Sequence, residues 1–292
     1  MRYFLLKSVW KLLSMIPLPV MYVLADGLYY PFYYLIRYRR KIVRRNLTES
    51  FPQKNMDEIK KIEKSFYRFF LDIFFETCKF ATVSEKEIRR RMKFVNPEAV
   101  NQPFIENKPV SLYLGHFGNW EWISSMPLHL KDGFISGQIY QKLRNKTVDR
   151  LMYEDRIRFG ATNIEMRETV RWISEKIKNQ DITIVGYIAD QSPRKKQLKH
   201  YLDFLEHQAP VLTGTEKIAK KYGMDVFYVD VKRIKRGYYE ASFVKMHENP
   251  QLLPDFELTE IFFNLLEESI HKHPELYLWT HNRFKHAKNN TQ

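Results

Sequence analysis

Two short, continuous apolar runs constrain the fold most. "VSLYLG" occupies residues 110–115 and "ITIVGYIAD" residues 182–190. Both are too short for a core helix and rich in β-branched or aromatic side chains, so they read as strands buried on both faces. Helical patterns separate them. Apolar residues recur at Ile59, Ile62, Phe66, Phe69, Phe70, Ile73 and Phe74, a three-and-four spacing that predicts a helix over 56–80 with Asn55 as its cap. Further helices are expected at "WISSMPLHL" (122–130), 145–159, 166–179, 213–222 and 257–273. Strands are expected at 134–140 and, as a pair turning at Arg236 and Gly237, across 225–246. Alternating strands and helices predict an α/β fold with a mixed, largely parallel central sheet flanked by helices.

The first 45 residues differ in character. Residues 12–36 carry one charge, Asp26, and are long enough for a bilayer span of about 20 residues. Pro17, Pro19 and Pro31 interrupt them, and no small-residue cleavage site follows. "RYRRKIVRR" (37–45) then supplies six basic residues and no acid, next to Tyr29, Tyr30, Tyr33, Tyr34 and Tyr38. Aromatics beside a basic cluster suit a membrane–water interface. Residues 1–45 are therefore read as a membrane-associated helical segment, a broken or interfacial helix pair; the alternative is an ordinary buried helical hairpin of the domain whose charged end is solvated. Residues 46–286 form one catalytic domain without repeats or linkers, and 287–292 a polar tail.

The 48 Lys and Arg against 34 Asp and Glu leave a net charge of +14, which favours an anionic partner. The cations are spread along the chain and no nucleic-acid-binding motif is present, so nucleic acid is not expected. The single cysteine, Cys78, excludes an intrachain disulfide and a multi-cysteine zinc site. It lies in the apolar helical run and is expected in the core. His271, His273 and His281 have no carboxylate at ligand spacing, so no metal site is expected.

"LGHFGNWEW" (114–122) closes the first apolar run with His116 and, five residues on, Glu121. Chemistry in open α/β sheets gathers at the carboxyl ends of strands. If a helix begins over 118–121, Glu121 reaches back to the imidazole, fixes its tautomer and leaves the other nitrogen as a general base. No Gly-x-Ser-x-Gly elbow is present, so the nucleophile would be a substrate hydroxyl. By spacing alone the pair is a weak signal, for which a solvated His116 and a capping Glu121 are the default reading.

"GHFGNWE" resembles the His-x₄-Asp/Glu motif of the bacterial lipid A biosynthesis (late, secondary) acyltransferases, within the lysophospholipid acyltransferase-like superfamily. Further blocks resemble the family in collinear order: "RRNLTESFP" (44–52), "YQKLRNKTVDRLMYEDRIRFG" (140–160), "ADQSPRK" (189–195), "APVLTGTEKIAKK" (209–221) and "HPELYLWTHNRFK" (273–285). Together they span about 240 residues in order, too many separate blocks for coincidence. Gln141-Lys142 departs from the family's Arg-Pro after the tyrosine.

The resemblance implies a glycerolipid acyltransferase-like fold. It also implies transfer of a fatty acyl chain from acyl carrier protein, or a coenzyme A thioester, to a hydroxyl of a lipid A precursor. A phosphorylated glycolipid acceptor, the membrane surface and the cytosolic face of the inner membrane come with it, and no cofactor does. Carried over, His116 and Glu121 form the catalytic dyad, with Glu121 orienting the ring. Arg156, Asp190, Asn145, Asp149, Tyr140 and Arg283 are expected to organise or bind substrate. The alternatives are another lipid acceptor (a lysophospholipid, aminolipid or phosphoglycolipid) or a basic, non-catalytic membrane- or nucleic-acid-binding protein.

Overall fold

The computed structural model describes residues 2–288. Most of the expected polar tail, 289–292, lies outside the described residues.

Among the described residues nine strands form in chain order: β1 (Met92–Phe94), β2 (Val110–Leu114), β3 (Ile135–Tyr140), β4 (Thr162–Glu165), β5 (Thr183–Ile188), β6 (Tyr201–Phe204), β7 (His207–Pro210), β8 (Asp225–Lys235) and β9 (Tyr238–His247). Seven make one sheet in the order β1-β9-β8-β2-β5-β3-β4, while β6 and β7 pair as a separate hairpin. Within the large sheet only the β8–β9 pairing is antiparallel. The sheet is thus mixed and mostly parallel, as expected. β2 lies between β5 and β8, and all five of its residues are buried. That burial on both faces is why its sequence runs apolar without alternation.

Among the described residues ten α-helices surround the sheets: α1 (Arg2–Met15), α2 (Leu18–Tyr30), α3 (Arg40–Ser50), α4 (Met56–Phe80), α5 (Glu85–Arg91), α6 (Asn101–Ile105), α7 (Lys146–Arg156), α8 (Thr169–Lys178), α9 (Gly214–Lys221) and α10 (Glu257–Lys272). The segment 122–130 departs from its expected α-helix and forms 3₁₀ turns over Trp122–His129. Pro127 lies inside it, and proline has no N–H for the α-helical ladder.

α4 is the longest helix and organises the N-terminal half. Asn55 and Glu58 form a reciprocal capping box at its start. Cys78 is buried on it, as expected, and burial pushes its thiol up to about 12. The same helix buries three carboxylates, Glu63, Asp72 and Glu76. Glu63 accepts from Tyr33 and is ion-paired to Arg40 and Arg44. Asp72 accepts from Arg233 at the end of β8 and from Arg236 in the hairpin turn. Arg236 also grips Asp26 of α2 at 2.8 and 2.9 Å. Gly237 completes this turn at φ +72°, and a Cβ there would collide with the Tyr22 hydroxyl.

α1 and α2 meet at a bend of 107°. Among the described residues no single helix is long and apolar enough to cross a membrane, whereas the bent pair together has the length and composition. One face of the pair packs inward. Leu18, Met21, Ala25 and Tyr29 join the same hydrophobic cluster as the sheet. The other face leaves Phe4, Leu5, Leu12, Val23 and Leu28 exposed, and Leu35 and Ile36 are exposed in the π-helical turn Pro31–Ile36 that follows.

Removing Asp72 leaves Arg233 and Arg236 facing each other without their shared anion. Asp72→Ala is expected to lower the unfolding free energy by about 3 kcal/mol in denaturant titration. An unchanged midpoint would show that this junction does not fasten α2 to the hairpin.

Candidate active site

The site begins with strand register. β2 and β5 run parallel with Leu114 opposite Ile188, and Ala189 N–H donates to the Leu114 carbonyl at 3.0 Å. The next polar residue on each chain segment, His116 and Asp190, therefore leaves the sheet at the same edge. Asp190 takes two hydrogen bonds from His116: the backbone N–H donates to Oδ2 at 3.1 Å, and ring Nδ1 lies 2.6 Å from Oδ1. Asp190 is buried. Burial favours its neutral form, but the His116 charge and hydrogen bonds and the Arg283 guanidinium hold it below the usual carboxylate range. An ionised Asp190 requires a ring proton on Nδ1, which in the neutral imidazole leaves Nε2 bare. The Gln191 side-chain amide lies 3.1 Å from that nitrogen and donates to it.

The loop carrying His116 is pinned on its other side by the C-terminal segment. The His116 carbonyl accepts from Leu278 N–H at 3.1 Å, and Gly118 N–H donates to the Leu276 carbonyl at 3.0 Å. Gly118 has φ +60°, and an added Cβ would stand 2.6 Å from Val231 Cγ1. This left-handed turn at close approach needs glycine.

Glu121 corrects the expectation drawn from its spacing: its carboxylate makes no hydrogen bond to the imidazole. It is forked by Arg156, whose Nε and Nη2 lie 2.9 and 2.6 Å away. The cause is local. No helix starts at 118; the chain turns at Gly118, and helical geometry begins only in the 3₁₀ turn at Trp122. Arg156 ends α7, and a bidentate guanidinium–carboxylate pair is a strong, directional contact. Burial favours the neutral form of Glu121; the Arg156 charge and hydrogen bonds, then the His116 charge, outweigh it and lower its pKa. Glu121 thus stays ionised near the imidazole without touching it. Trp120 presents to the His116 ring edge-on, centroids 5.4 Å apart.

The other candidate residues divide into two groups. Arg283 is buried behind Asp190, with Nη1 donating to the Pro210 carbonyl at 3.0 Å and its cation 5.5 Å from the Phe204 and Phe263 rings. His281 joins the same region: its Nε2 accepts from Ser192 N–H at 3.3 Å, and burial pushes its pKa down to about 4, so it stays neutral. Tyr140, Asn145 and Asp149 do not touch His116, Glu121 or Asp190. Asn145 caps α7 through Thr147 and Val148 N–H, Asp149 accepts from Leu143 N–H, and Tyr140 stands edge-on to Tyr153. These three shape the β3–α7 connection and so set where α7 delivers Arg156. Among the described residues no group of three His, Cys, Asp or Glu side chains is placed to hold a metal ion.

Three polar residues complete the site beyond those expected from sequence. Gln191 caps the bare nitrogen. Asn119, inside the motif, accepts from Trp122 N–H at 3.0 Å and donates to Glu76 at 2.7 Å. Glu76 also accepts from the hydroxyls of Tyr22 and Tyr239, each at 2.8 Å, and its carbonyl accepts from Trp122 Nε1. α4 thereby props the loop between His116 and Glu121. The same helix supplies Phe66, Phe69, Phe70 and Ile73, which with Trp120, Tyr277 and Leu278 line an apolar crevice next to the loop.

The sequence profile described as bacterial lipid A biosynthesis acyltransferase matches residues 1–286. The chain is 25% identical over 276 residues to the lipid A biosynthesis lauroyltransferase of Escherichia coli (strain K12), covering 94% of this chain and 88% of that one. It is 22% identical over 236 residues to a lipid A biosynthesis acyltransferase of Haemophilus influenzae (strain ATCC 51907 / DSM 11121 / KW20 / Rd), covering 80% and 72%.

Glu76 generates a prediction in pH. Burial raises its carboxyl from 4.5 to about 7, against the donors that lower it. The folded value lies above the unfolded one. Its stabilising share is therefore complete below pH about 4.5 and is lost as pH rises through about 7. In Glu76→Gln the amide oxygen serves Asn119 and Tyr239 while the amide N–H₂ donates to Tyr22. Between about pH 5 and 8 the unaltered protein is expected to lose roughly 3 kcal/mol relative to Glu76→Gln. Denaturant titrations across that range measure it, and parallel curves for the two proteins would contradict it.

Proposed function

The chain belongs to the bacterial lipid A biosynthesis acyltransferase family; it is an acyltransferase. From that premise we propose that it transfers a fatty acyl chain from an acyl carrier protein thioester to a hydroxyl of a phosphorylated lipid A precursor. The observation that carries this reading is the bare Nε2 of His116, fixed by Asp190 on Nδ1 and covered by the Gln191 amide. Family membership sets aside a purely non-catalytic binding role.

In the proposed step, Gln191 yields its position to the acceptor hydroxyl. Nε2 takes the hydroxyl proton as the oxygen attacks the thioester carbonyl. The tetrahedral intermediate collapses, the C–S bond breaks, and Nε2–H returns the proton to the departing thiolate. An ester and a free thiol result. Asp190 stabilises the imidazolium directly, and the anionic Glu121 stabilises it through space. Arg156 holds Glu121 and brings positive charge to a site that receives anionic substrates. The apolar side chains of α4, Trp120 and Tyr277 beside the loop would have to part to admit an alkyl chain. The reaction draws on side chains and the donor thioester alone, with no cofactor.

The substrate's lipid character supports a membrane location for the N-terminal pair, on the cytosolic face of the inner membrane. The exposed apolar face of α1 and α2 leads into Arg37, Arg39, Lys41 and Arg45, a sequence of apolar, aromatic and cationic surface that fits lipid tails and headgroups in turn.

His116→Ala is expected to lower transfer from acyl carrier protein to a lipid A precursor by about 10³-fold in a membrane or detergent assay, with a lower melting temperature because Asp190 loses its ring donor and with circular dichroism still showing a folded protein. Normal transfer by this variant would sink the general-base role.

A further inference from the structure

Three consecutive strands deliver their carboxyl ends to one edge: β2 with His116, β5 with Asp190, and β3 with the loop leading to α7. Neighbouring strands lie about 4.8 Å apart, so these ends fall within about 10 Å of each other. Two of the three loops that leave this edge are basic. After β3 come Arg144 and, as the first residue of α7, Lys146; after β5 come Arg194, Lys195, Lys196 and Lys199. All six side chains are exposed. Neither stretch, 141–146 or 191–200, contains an acidic residue.

The surface elsewhere pairs many of its cations. Lys142, next to this group, meets Glu165 at 2.6 Å, and Arg150 meets Glu154 at 3.1 Å. Among the described residues none of the six has an ion-pair partner. The second loop is also held in place. Ser192 N–H donates to His281, Pro193 is buried, Val211 N–H donates to the His200 carbonyl, and the His200 ring stacks on Phe256 at 4.0 Å. A fixed basic rim therefore stands beside the residue that must meet the acyl donor.

We propose that this rim, Arg144 and Lys146 with Arg194, Lys195, Lys196 and Lys199, is the docking surface for an acidic carrier protein that presents the acyl thioester to His116. The inference rests on the reading of the chain as a thioester-dependent acyltransferase. Its chemistry points to a protein surface. The cations are spread and solvent-facing, without the convergent, buried donors that would hold one small anion. A bilayer contact would carry apolar side chains among the cations, as residues 30–38 do. These two loops expose one large apolar residue, Leu143. Spread rim charges accelerate encounter with an oppositely charged partner and make it sensitive to salt.

The test uses the full chain in detergent with two donors, acyl carrier protein thioester and the small, uncharged acyl-pantetheine. In a combined Arg194→Glu, Lys195→Glu, Lys196→Glu and Lys199→Glu variant, KM for the carrier thioester is expected to rise at least tenfold. kcat, the acceptor KM and the rate from acyl-pantetheine are expected to stay within about twofold of the unaltered enzyme, which also shows that the variant is folded. The milder Lys195→Ala, Lys196→Ala pair is expected to raise the carrier KM about threefold, and added salt is expected to raise it in the unaltered enzyme. An unchanged carrier KM in the combined variant overturns the proposal. So does a rise confined to the acceptor KM, which would assign the rim to a lipid headgroup. If the unaltered enzyme transfers from neither donor, the acyltransferase chemistry fails first and takes the docking surface with it. Transfer from acyl-pantetheine separates that case from the others.

Discussion

One buried carboxylate holds this site together. Asp190 spends both oxygens on His116, one on the backbone N–H and one on the ring. The first contact fixes where the loop leaves β2, and the second fixes which ring nitrogen is basic. Burying a carboxylate costs several kcal/mol unless partners offset it. Here the offset comes from His116 and, behind, from the guanidinium of Arg283. Arg283 is itself buried against aromatic rings with one hydrogen bond to a carbonyl, so anion and cation each give the other a reason to be there. Because Asp190 already satisfies Nδ1, Glu121 is free to pair with Arg156, and the site gains a second, separate charge pair beside the imidazole.

α4 supplies the second organising layer. A helix with an apolar face would pack on the sheet regardless. Its buried Glu63, Asp72 and Glu76 make that packing specific, since each demands particular donors from a different part of the chain. Glu63 draws in Tyr33 and α3, Asp72 the β8–β9 turn, and Glu76 both α2 and the loop that carries His116. The tyrosine, asparagine and arginine partners lie between 19 and 164 residues away along the chain. A path of hydrogen bonds thus runs from Tyr22, on the helix with the exposed apolar face, through Glu76 to Asn119 between His116 and Glu121.

The elements legible in the sequence were those with a strong local period or strong local chemistry. The α4 pattern and its Asn55 cap appear where expected, as do the buried strands β2 and β5 and the Arg236–Gly237 turn. Short elements were not legible: "TNIE" of β4 is largely polar, and β6 and β7 are four residues each. Pro127 was visible, yet its effect on the 122–130 helix depended on the turn that precedes it. In the site, position was legible and partnership was not. His116 and Asp190 each end an apolar run, but their pairing spans 74 residues and follows from register. The contact of Glu121 with Arg156 spans 35 residues and displaced a reading based on five. Glu76 sits inside an apolar helical pattern, where a lone carboxylate looks like a solvated interruption.

The measurement that bears most directly on this account is the ¹⁵N spectrum of the His116 ring in histidine-labelled protein, assigned with His116→Gln. A protonated Nδ1 with a far-downfield ring proton and a bare Nε2 is expected, retained in Glu121→Gln and lost or redistributed in Asp190→Asn. A tautomer that is indifferent to Asp190→Asn and changes in Glu121→Gln would contradict it.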